Sequence, residues 1–497
     1  MHCRQEIPIY YIDRDGAPIL DHRAPCPFAS EFGEHPSLKN ECLVHGDRVV
    51  GESPVLFRAK KDLCKVCKLI PIQNDLFQVS RIRLSATDFQ ALFHHASKSG
   101  SKIFLDECTI SGTLYLANIY ENIYVYMKNC EIDHIQIKNS RISGAKTIIN
   151  SKIKSLYIEN SIIDARSVLE GNDLSSIILK ESNIIEPCDI SFSNIGLFDI
   201  RNSDIQELAI CDSSFSDMSV ITETNFDQSL ILDNLFCHAT LHVTKNVFRD
   251  GFAMGVSQYS LASQDLWYVD PPKIRFTKNM ELSLFRENVF IGVADFKNRV
   301  FQDTVDFSGS TFHKAPRFHN AQLHQDSSFD RVKFLDVLSE TAAQDYRVLR
   351  LQMENVRARQ EEGRFFALEQ RSLRKSQKTK LSDRTLSLIY DYISDYGNSI
   401  FRPIVWFLVT NLTISTFLAY NLGLPTNLSG LDMRFLEFSL SQTFNPFAAV
   451  RNPEIYKPIY QIEFSLGIQI LSLFQGIINL TLLTCVIIAL RRRYRIS

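Results

Sequence analysis

The chain has almost no net charge. Its 54 lysines and arginines are matched by 56 aspartates and glutamates, leaving −2 over 497 residues. So even a balance marks no polyanionic or polycationic partner for the molecule as a whole, and direct nucleic-acid binding is not expected. A catalytic constellation is also missing. No Ser/His/Asp order, phosphate-cradling Gly-rich loop or convergent carboxylate pair can be read, so no enzymatic activity is expected. Residues 1–11 show no apolar run after a basic start, so no secretory leader is expected. The 11 cysteines are scattered rather than framed in pairs, which fits a reducing compartment better than a disulfide scaffold.

What the sequence does contain is concentrated apolar length near its end. Residues 403–422 read PIVWFLVTNLTISTFLAYNL. That is about 20 residues without a charge, enough to cross a bilayer as a helix. Residues 464–490 form a second uncharged stretch of about 27 residues, enough to span with tilt. Arg491, Arg492, Arg493 and Arg495 follow the second stretch. Arg371, Arg374, Lys375, Lys378, Lys380, Arg384 and Arg402 precede the first, and only Arg434, Arg451 and Lys457 lie between. This bias places both termini, and everything before residue 400, in the cytoplasm. The second stretch also carries Ser465, Gln469, Ser472, Gly476 and Asn479 at steps of three and four, one face of a helix. Such a stripe is either an oligomer seam or packing against the first span, or a wetted pore lining. Thr410, Asn411, Thr413, Ser415 and Thr416 offer partners on the first span.

Before these spans the sequence repeats. The pattern apolar-x-x-small-x-apolar runs through LDECTI at 105–110, MKNCEI at 127–132, IKNSRI at 137–142 and IENSII at 158–163. It continues through LKESNI, IRNSDI, ICDSSF and ITETNF, the last ending at Phe226. The small slot holds Cys108, Cys130, Ser140, Ser151, Ser161, Ser182, Ser193, Ser203, Ser213 and Thr224. A second form follows, with Phe285, Phe290, Phe296, Phe301, Phe307, Phe312, Phe318, Leu323, Phe329 and Phe334 stepping by five and six. Those steps fall on different faces of an α-helix, whereas a solenoid turns each large residue inward, with the small residue filling the space beside it. About 21 residues per coil and about 11 coils would fill 102–336. Cys108 and Cys130 read as small core residues rather than nucleophiles. Asn129, Asn139, Asn150, Asn160 and Asn202 recur at one repeat position and suggest a turn-side ladder. A break near 251–273 contains Trp267 and Tyr268, which would either form a contact loop or tuck onto the solenoid.

The repeat resembles the pentapeptide-repeat family. That resemblance implies a mainly β fold, a right-handed quadrilateral β-helix, with the Phe/Leu/Ile set and the Ser/Cys/Ala/Thr set inward. Helical elements then follow. Residues 339–375 are charged and helix-forming, with Gly363 the candidate break, and Ser382-Asp383 would cap an amphipathic helix on the membrane surface. SDYGNSIFRP at 394–403, the two spans, FLEFSLSQTF at 435–444 and the Arg-rich end resemble a two-span potassium-channel module of bacterial pentapeptide-repeat proteins. Where a TVGYG-like filter would stand, this chain has Gln442-Thr443-Phe444-Asn445-Pro446-Phe447. Potassium selectivity is therefore not implied.

Residues 1–98 lack the repeat. Cys42 and His45, then Cys64 and Cys67, are spaced as two knuckles that fit a structural Cys₃His zinc site, with Cys3, Cys26 and His35 as rival ligands. SATDFQALFHHAS at 85–97 reads as a short capped helix closing the open end of the solenoid. The expected organisation is an N-terminal segment at 1–98, a β-helix at 99–336, a helical connector at 337–400 and two transmembrane α-helices within 401–497. The expected role is a scaffold in the bacterial inner membrane that holds an unidentified protein partner on its β-helix and forms a homo-oligomer through its spans in the lipid bilayer. The alternative is an oligomeric channel gated by the β-helix.

Overall fold

The computed structural model describes residues 6–12, 18–25, 76–80, 83–99, 102–255, 279–280, 283–375, 379–421, 433–444 and 465–494. The chain divides into two compact units, Met1–Leu335 and Asp336–Ser497.

The first unit contains a parallel β-solenoid of about 10 turns, close to the count expected from the repeat. Among the described residues its strands join into one sheet of 18 strands and another of 12. Corresponding residues of successive coils lie 21 apart in the first half, as for Ser140 and Ser161. They lie 22 apart in the second, as for Asn288 and Ser310. The longer spacing is already present at Ser214, whose partner is Phe236, before the second form of the repeat begins.

The corners explain the asparagine run. Asn118, Asn129, Asn139, Asn150, Asn160 and Asn202 all have positive φ, between 46° and 56°. Asparagine tolerates this left-handed conformation because its short amide bonds locally, so it turns the chain at low cost. Asn160 Nδ2 also donates to Asn139 Oδ1 at 2.8 Å, one rung of the expected ladder.

The small slot does more than fill space. Ser140 N–H donates to Ser161 Oγ at 3.2 Å, Ser161 N–H to Ser182 Oγ at 3.2 Å, and Ser182 N–H to Ser203 Oγ at 3.2 Å. Each hydroxyl in turn donates to the carbonyl two residues earlier, as Ser161 does to Glu159 at 2.7 Å. A second column runs from Cys130 N–H to Ser151 Oγ, Ser151 N–H to Asn172 Oδ1, and Asn172 N–H to Ser193 Oγ. These slots are buried, where an unpaired N–H is costly. The slot therefore selects small residues with an acceptor oxygen, which is why serine predominates. Cys108 and Cys130 occupy it as buried thiols, each donating to the carbonyl two residues earlier.

Apolar columns fill the interior. In the second half Phe226, Phe248, Phe290, Phe312 and Phe334 stack with centroids 4.6–5.4 Å apart. Phe285, Phe307 and Phe329 form a second stack at 5.2–5.3 Å. Edge-to-face contacts join the columns, as between Phe307 and Phe318 at 5.8 Å, the geometry aromatic quadrupoles favour.

The repeat's limits differ from those read in the sequence. Leu76–Ser80 and Arg83–Ser85 already pair with the first full coil, so the solenoid starts before residue 99. Helix α1, Ala86–Ser99, follows and buries Phe89, Leu92, Phe93 and Ala96 while packing against Thr109–Ala117. Gly251–Ala253, placed by sequence inside the interruption, is a strand paired on both sides. The extra length appears in a single coil. Asn246 N–H reaches Asn288 Oδ1, 42 residues on. Beside the exit point, Arg299 is 1% exposed. It donates to the carbonyls of Leu232, Leu235, Met254 and Gly255 at 2.9–3.3 Å. Burial pushes its pKa down to about 10. Where the coil resumes, a Cβ on Gly292 would lie 1.5 Å from the Asp250 carbonyl oxygen, so only glycine fits. Near the start of the chain, Glu6–Ile12 and Pro18–Pro25 form an antiparallel pair.

The second unit is helical. Helices α2, Ala342–Asn355, and α3, Arg359–Lys375, pack together, joined by Arg347 and Arg350 on the buried Glu369 at 2.8 and 2.9 Å. The break between them falls before Arg359, with Arg357 at φ 59°. Gly363 is instead buried within α3, where its carbonyl accepts from Asn398. Helix α4, Leu381–Ser394, begins after Lys380, with no side-chain capping bond; Ser382 and Asp383 sit inside its first turn.

Candidate functional site: a buried amide cluster among the apolar helices

Three further helices complete the second unit: α5, Phe401–Asn421, α6, Met433–Phe444, and α7, Leu466–Tyr494. The short α6 packs against both α5 and α7, which also touch each other. Windows of α5 and α7 are long and apolar enough to cross a membrane, and only 22% and 33% of them is buried within the molecule. A soluble core helix would be mostly covered. Here Leu408, Leu412, Phe474 and Ile487 lie bare.

At the contact of the three helices the side chains are polar. Asn411 of α5 and Asn479 of α7 exchange amide bonds at 3.1 and 3.3 Å. Gln475 Nε2 donates to Asn411 Oδ1 at 3.0 Å and to the Ser439 carbonyl at 3.0 Å. Ser439 Oγ donates to Asn411 Oδ1 at 2.8 Å, and Asn479 Nδ2 to Thr443 Oγ1 at 3.0 Å. All five residues are buried. In an apolar surround such amides find each other because no water competes and an unmade bond is expensive. Among the described residues, Gln442 Oε1 and Gln475 Oε1 are buried acceptors without a partner.

The stripe read from sequence is divided by this geometry. Ser472, Gly476 and Asn479 are buried, and Asn479 faces α5 and α6 of its own chain. Gln469 is half-buried and Ser465 exposed. Gln475 was missed. It stands three residues after Ser472 and four before Asn479, so it satisfies the helical spacing as well as Gly476 does. On α5 Asn411 reaches across to α6 and α7. Thr410, Thr413, Ser415 and Thr416 each bond the carbonyl four residues back in their own helix, the usual refuge of a hydroxyl in an apolar helix.

A charged joint lies before α5. Arg371 pairs with Asp391 at 2.8 Å and also with Asp395, while Arg374 pairs with Asp391 at 2.9 Å. Burial opposes the Asp391 charge, but the two guanidinium groups outweigh it and hold its carboxyl below the usual range. Asp395, Tyr396 and Gly397 all have positive φ, an uncommon run for non-glycine residues. Tyr396 is 1% exposed, and its hydroxyl accepts from Arg374 at 3.3 Å. The turn is held by its surroundings, and Tyr392 meets Trp406 of α5 at 5.3 Å between ring centroids.

The solenoid's outer surface carries a groove of about 690 Å³ along one corner. Its residues come two or three per coil, with Ser140, Ser161 and Ser182 between its two sides. Tyr120, Arg141, Ile162, Asn183 and Asp204 are aligned in register along one side, and the left-handed corner residues Asn118, Asn139, Asn160, Glu181 and Asn202 run along the other.

The proposed zinc ligands Cys42, His45, Cys64 and Cys67 lie outside the described residues, as do Trp267 and Tyr268. Among the described residues no group of three or more His, Cys, Asp or Glu side chains is placed to hold a metal. Fold and site together define the class: a parallel β-solenoid joined to a helical unit with two apolar helices. No known protein family, curated protein or solved structure matches the chain.

Proposed function

We propose that the chain is an integral membrane protein that presents its β-solenoid as a protein-interaction scaffold. The observation that carries this reading is the pair of long apolar helices left mostly uncovered, 22% and 33% buried, in the same chain as a solenoid whose outer face repeats coil by coil. Solenoids use such surfaces to hold extended partners. The buried amide cluster supports an anchoring role for α5–α7, because the hydrogen bonds of Asn411, Ser439 and Asn479 are made inside one chain. The Lys/Arg bias supports a cytoplasmic solenoid with both termini on the same side. Resemblance to bacterial pentapeptide-repeat proteins points to the inner membrane of a bacterium. No enzymatic step forms part of this role.

The test has two arms. Resistance of the protein to alkaline extraction from membranes, with a C-terminal tag shielded from external protease, is expected. Photo-crosslinkers placed on the exposed Tyr115 and Tyr120 in cells should then trap a specific protein. Extraction into the soluble fraction would end the membrane reading. A membrane-bound protein that traps nothing at any exposed solenoid position would end the scaffold reading.

The short helix α6, set against both long helices, favours a second reading as an oligomeric pore. Planar-bilayer recordings of the purified protein decide it. Discrete currents abolished by Gln475→Leu/Asn479→Leu would support the pore, and silence from a folded oligomer would refute it.

A further inference from the structure

The corner groove of the solenoid has a repeat that selects among extended ligands. Its rungs are successive parallel strands, about 4.8 Å apart, so every second rung lies about 9.6 Å along. A polyproline II helix has three residues per turn at about 3.1 Å each, or about 9.3 Å per turn. A peptide in that conformation laid along the groove shows the same face to every second rung. A β-strand repeats every two residues, about 6.8 Å, and falls out of step at once.

The side chains follow the same spacing. Tyr120 is 74% exposed. Its register partner is Arg141, and the next rung is Ile162. The two apolar seats therefore stand two rungs apart, the distance between prolines one polyproline turn apart. The intervening Arg141 is bridged to Asp164 at 2.6 Å, so its charge is locally matched. Along the opposite wall, the amides of Asn118, Asn139 and Asn160 line the groove from equivalent left-handed corners, one Nδ2 hydrogen of Asn160 being given to Asn139 Oδ1. A polyproline II backbone makes no internal hydrogen bonds, so its carbonyls remain available to such donors. Beyond Ile162 the lining turns acidic, with Glu181 and then Asp204. The stretch 164–233 contains 14 carboxylates against Arg166, Lys180 and Arg201, which extends the same sign around this end.

We propose that this groove binds an extended, proline-rich peptide segment of a partner protein, with two prolines one turn apart seated on Tyr120 and Ile162 and a basic residue beyond them facing Glu181 and Asp204. Aromatic-lined grooves recognise preformed polyproline II segments because little conformational entropy is lost on binding. The inference rests on the scaffold reading and names its partner's chemistry.

The test uses the full-length protein in lipid nanodiscs and a short fluorescent peptide, Pro-Ala-Ala-Pro-Ala-Arg, read by anisotropy. A glycine/serine peptide with the same arginine is the reference. The proline peptide should bind at least tenfold tighter than the reference. Tyr120→Ser/Ile162→Ser should remove that preference. Asn139→Gly/Asn160→Gly should weaken binding several-fold, and glycine keeps the left-handed corners free of strain. Glu181→Gln/Asp204→Asn should abolish discrimination between arginine and norleucine at the last position while leaving the proline preference. Hydrogen exchange of the coils reports that each variant is folded. Equal binding of proline and reference peptides, or undiminished binding by folded Tyr120→Ser/Ile162→Ser protein, overturns the proposal. So does a neutral oligosaccharide that occupies the groove when the peptide does not. If crosslinkers trap a partner elsewhere on the solenoid while the peptide fails, the groove assignment falls and the scaffold stands. If neither happens, both fall.

Discussion

Ser161→Ala separates two explanations of the small slot. Ser161 is 3% exposed. Its hydroxyl oxygen accepts the Ser140 N–H at 3.2 Å, and its O–H donates to the Glu159 carbonyl at 2.7 Å. If the slot only demands small volume, alanine fits and stability barely moves. If the slot must supply an acceptor, alanine strands a buried N–H. An orphaned buried donor costs about 1–3 kcal/mol. The Glu159 carbonyl keeps a partner, the Asn139 N–H at 3.2 Å, so little is added there. A cost of about 2 kcal/mol corresponds to about a 30-fold rise in local opening, taking about 1.4 kcal/mol per tenfold. Native-state hydrogen exchange on the full-length protein reads this directly. The amides of Arg141 and Ile162, which bond across the neighbouring coils, should exchange about 30-fold faster, on the same scale. Amides in the second-half coils should be unchanged, because a solenoid couples mainly nearest neighbours. Exchange within about twofold of wild type, under 0.5 kcal/mol, would refute the acceptor account and leave volume as the only requirement.

Four other outcomes are expected. Gly292→Ala forces a Cβ into the Asp250 carbonyl and should deprotect the coils at 247–253 and 289–295, visible by exchange; full protection would show that the backbone can shift aside. Asn411→Leu leaves Gln475 and Ser439 short of a partner and should lower stability in detergent by about 1–3 kcal/mol, whereas Thr413→Val, which loses only a bond within its own helix, should cost under about 1 kcal/mol; equal losses would dismiss the cluster as helix glue. Burial pushes Lys146 down to about 8, against about 10.4 in an unfolded chain. Between these values the unfolded state holds the proton and the folded state does not, so stability should rise with pH from about 8 to about 10.4, the desolvation cost being fully present below pH 8; a thermal-unfolding slope unchanged in Lys146→Met would assign the effect elsewhere. Finally, equimolar zinc in the purified protein should disappear in Cys42→Ser/Cys64→Ser, and a metal-free wild type grown with added zinc would remove the knuckle reading.

The sequence alone carried the architecture where a pattern had only one structural use. Steps of five and six between phenylalanines suit no helix, so the repeat by itself means a solenoid. Uncharged runs of bilayer length likewise marked α5 and α7, because composition and length suffice for that inference. Other features were written in the sequence but under-read. The serines two places before each apolar residue looked like space-fillers, since hydrogen bonding to a residue 21 positions away shows only when the coils stack. Gly363 looked like a helix break because glycine is a poor helix former; its buried place in α3 beside Asn398 explains its tolerance.

Tertiary structure alone decided which polar residues of the two apolar helices meet. Spacing allowed Gly476 or Gln475 on the stripe, and only the approach of α5 and α6 selected Gln475, Asn479, Asn411 and Ser439. The corner groove has the same origin. Tyr120 and Ile162 are 42 positions apart in the chain, and nothing in their local sequence marks them as neighbours. They become two seats of one groove because each coil returns the chain to the same corner, one strand spacing further along.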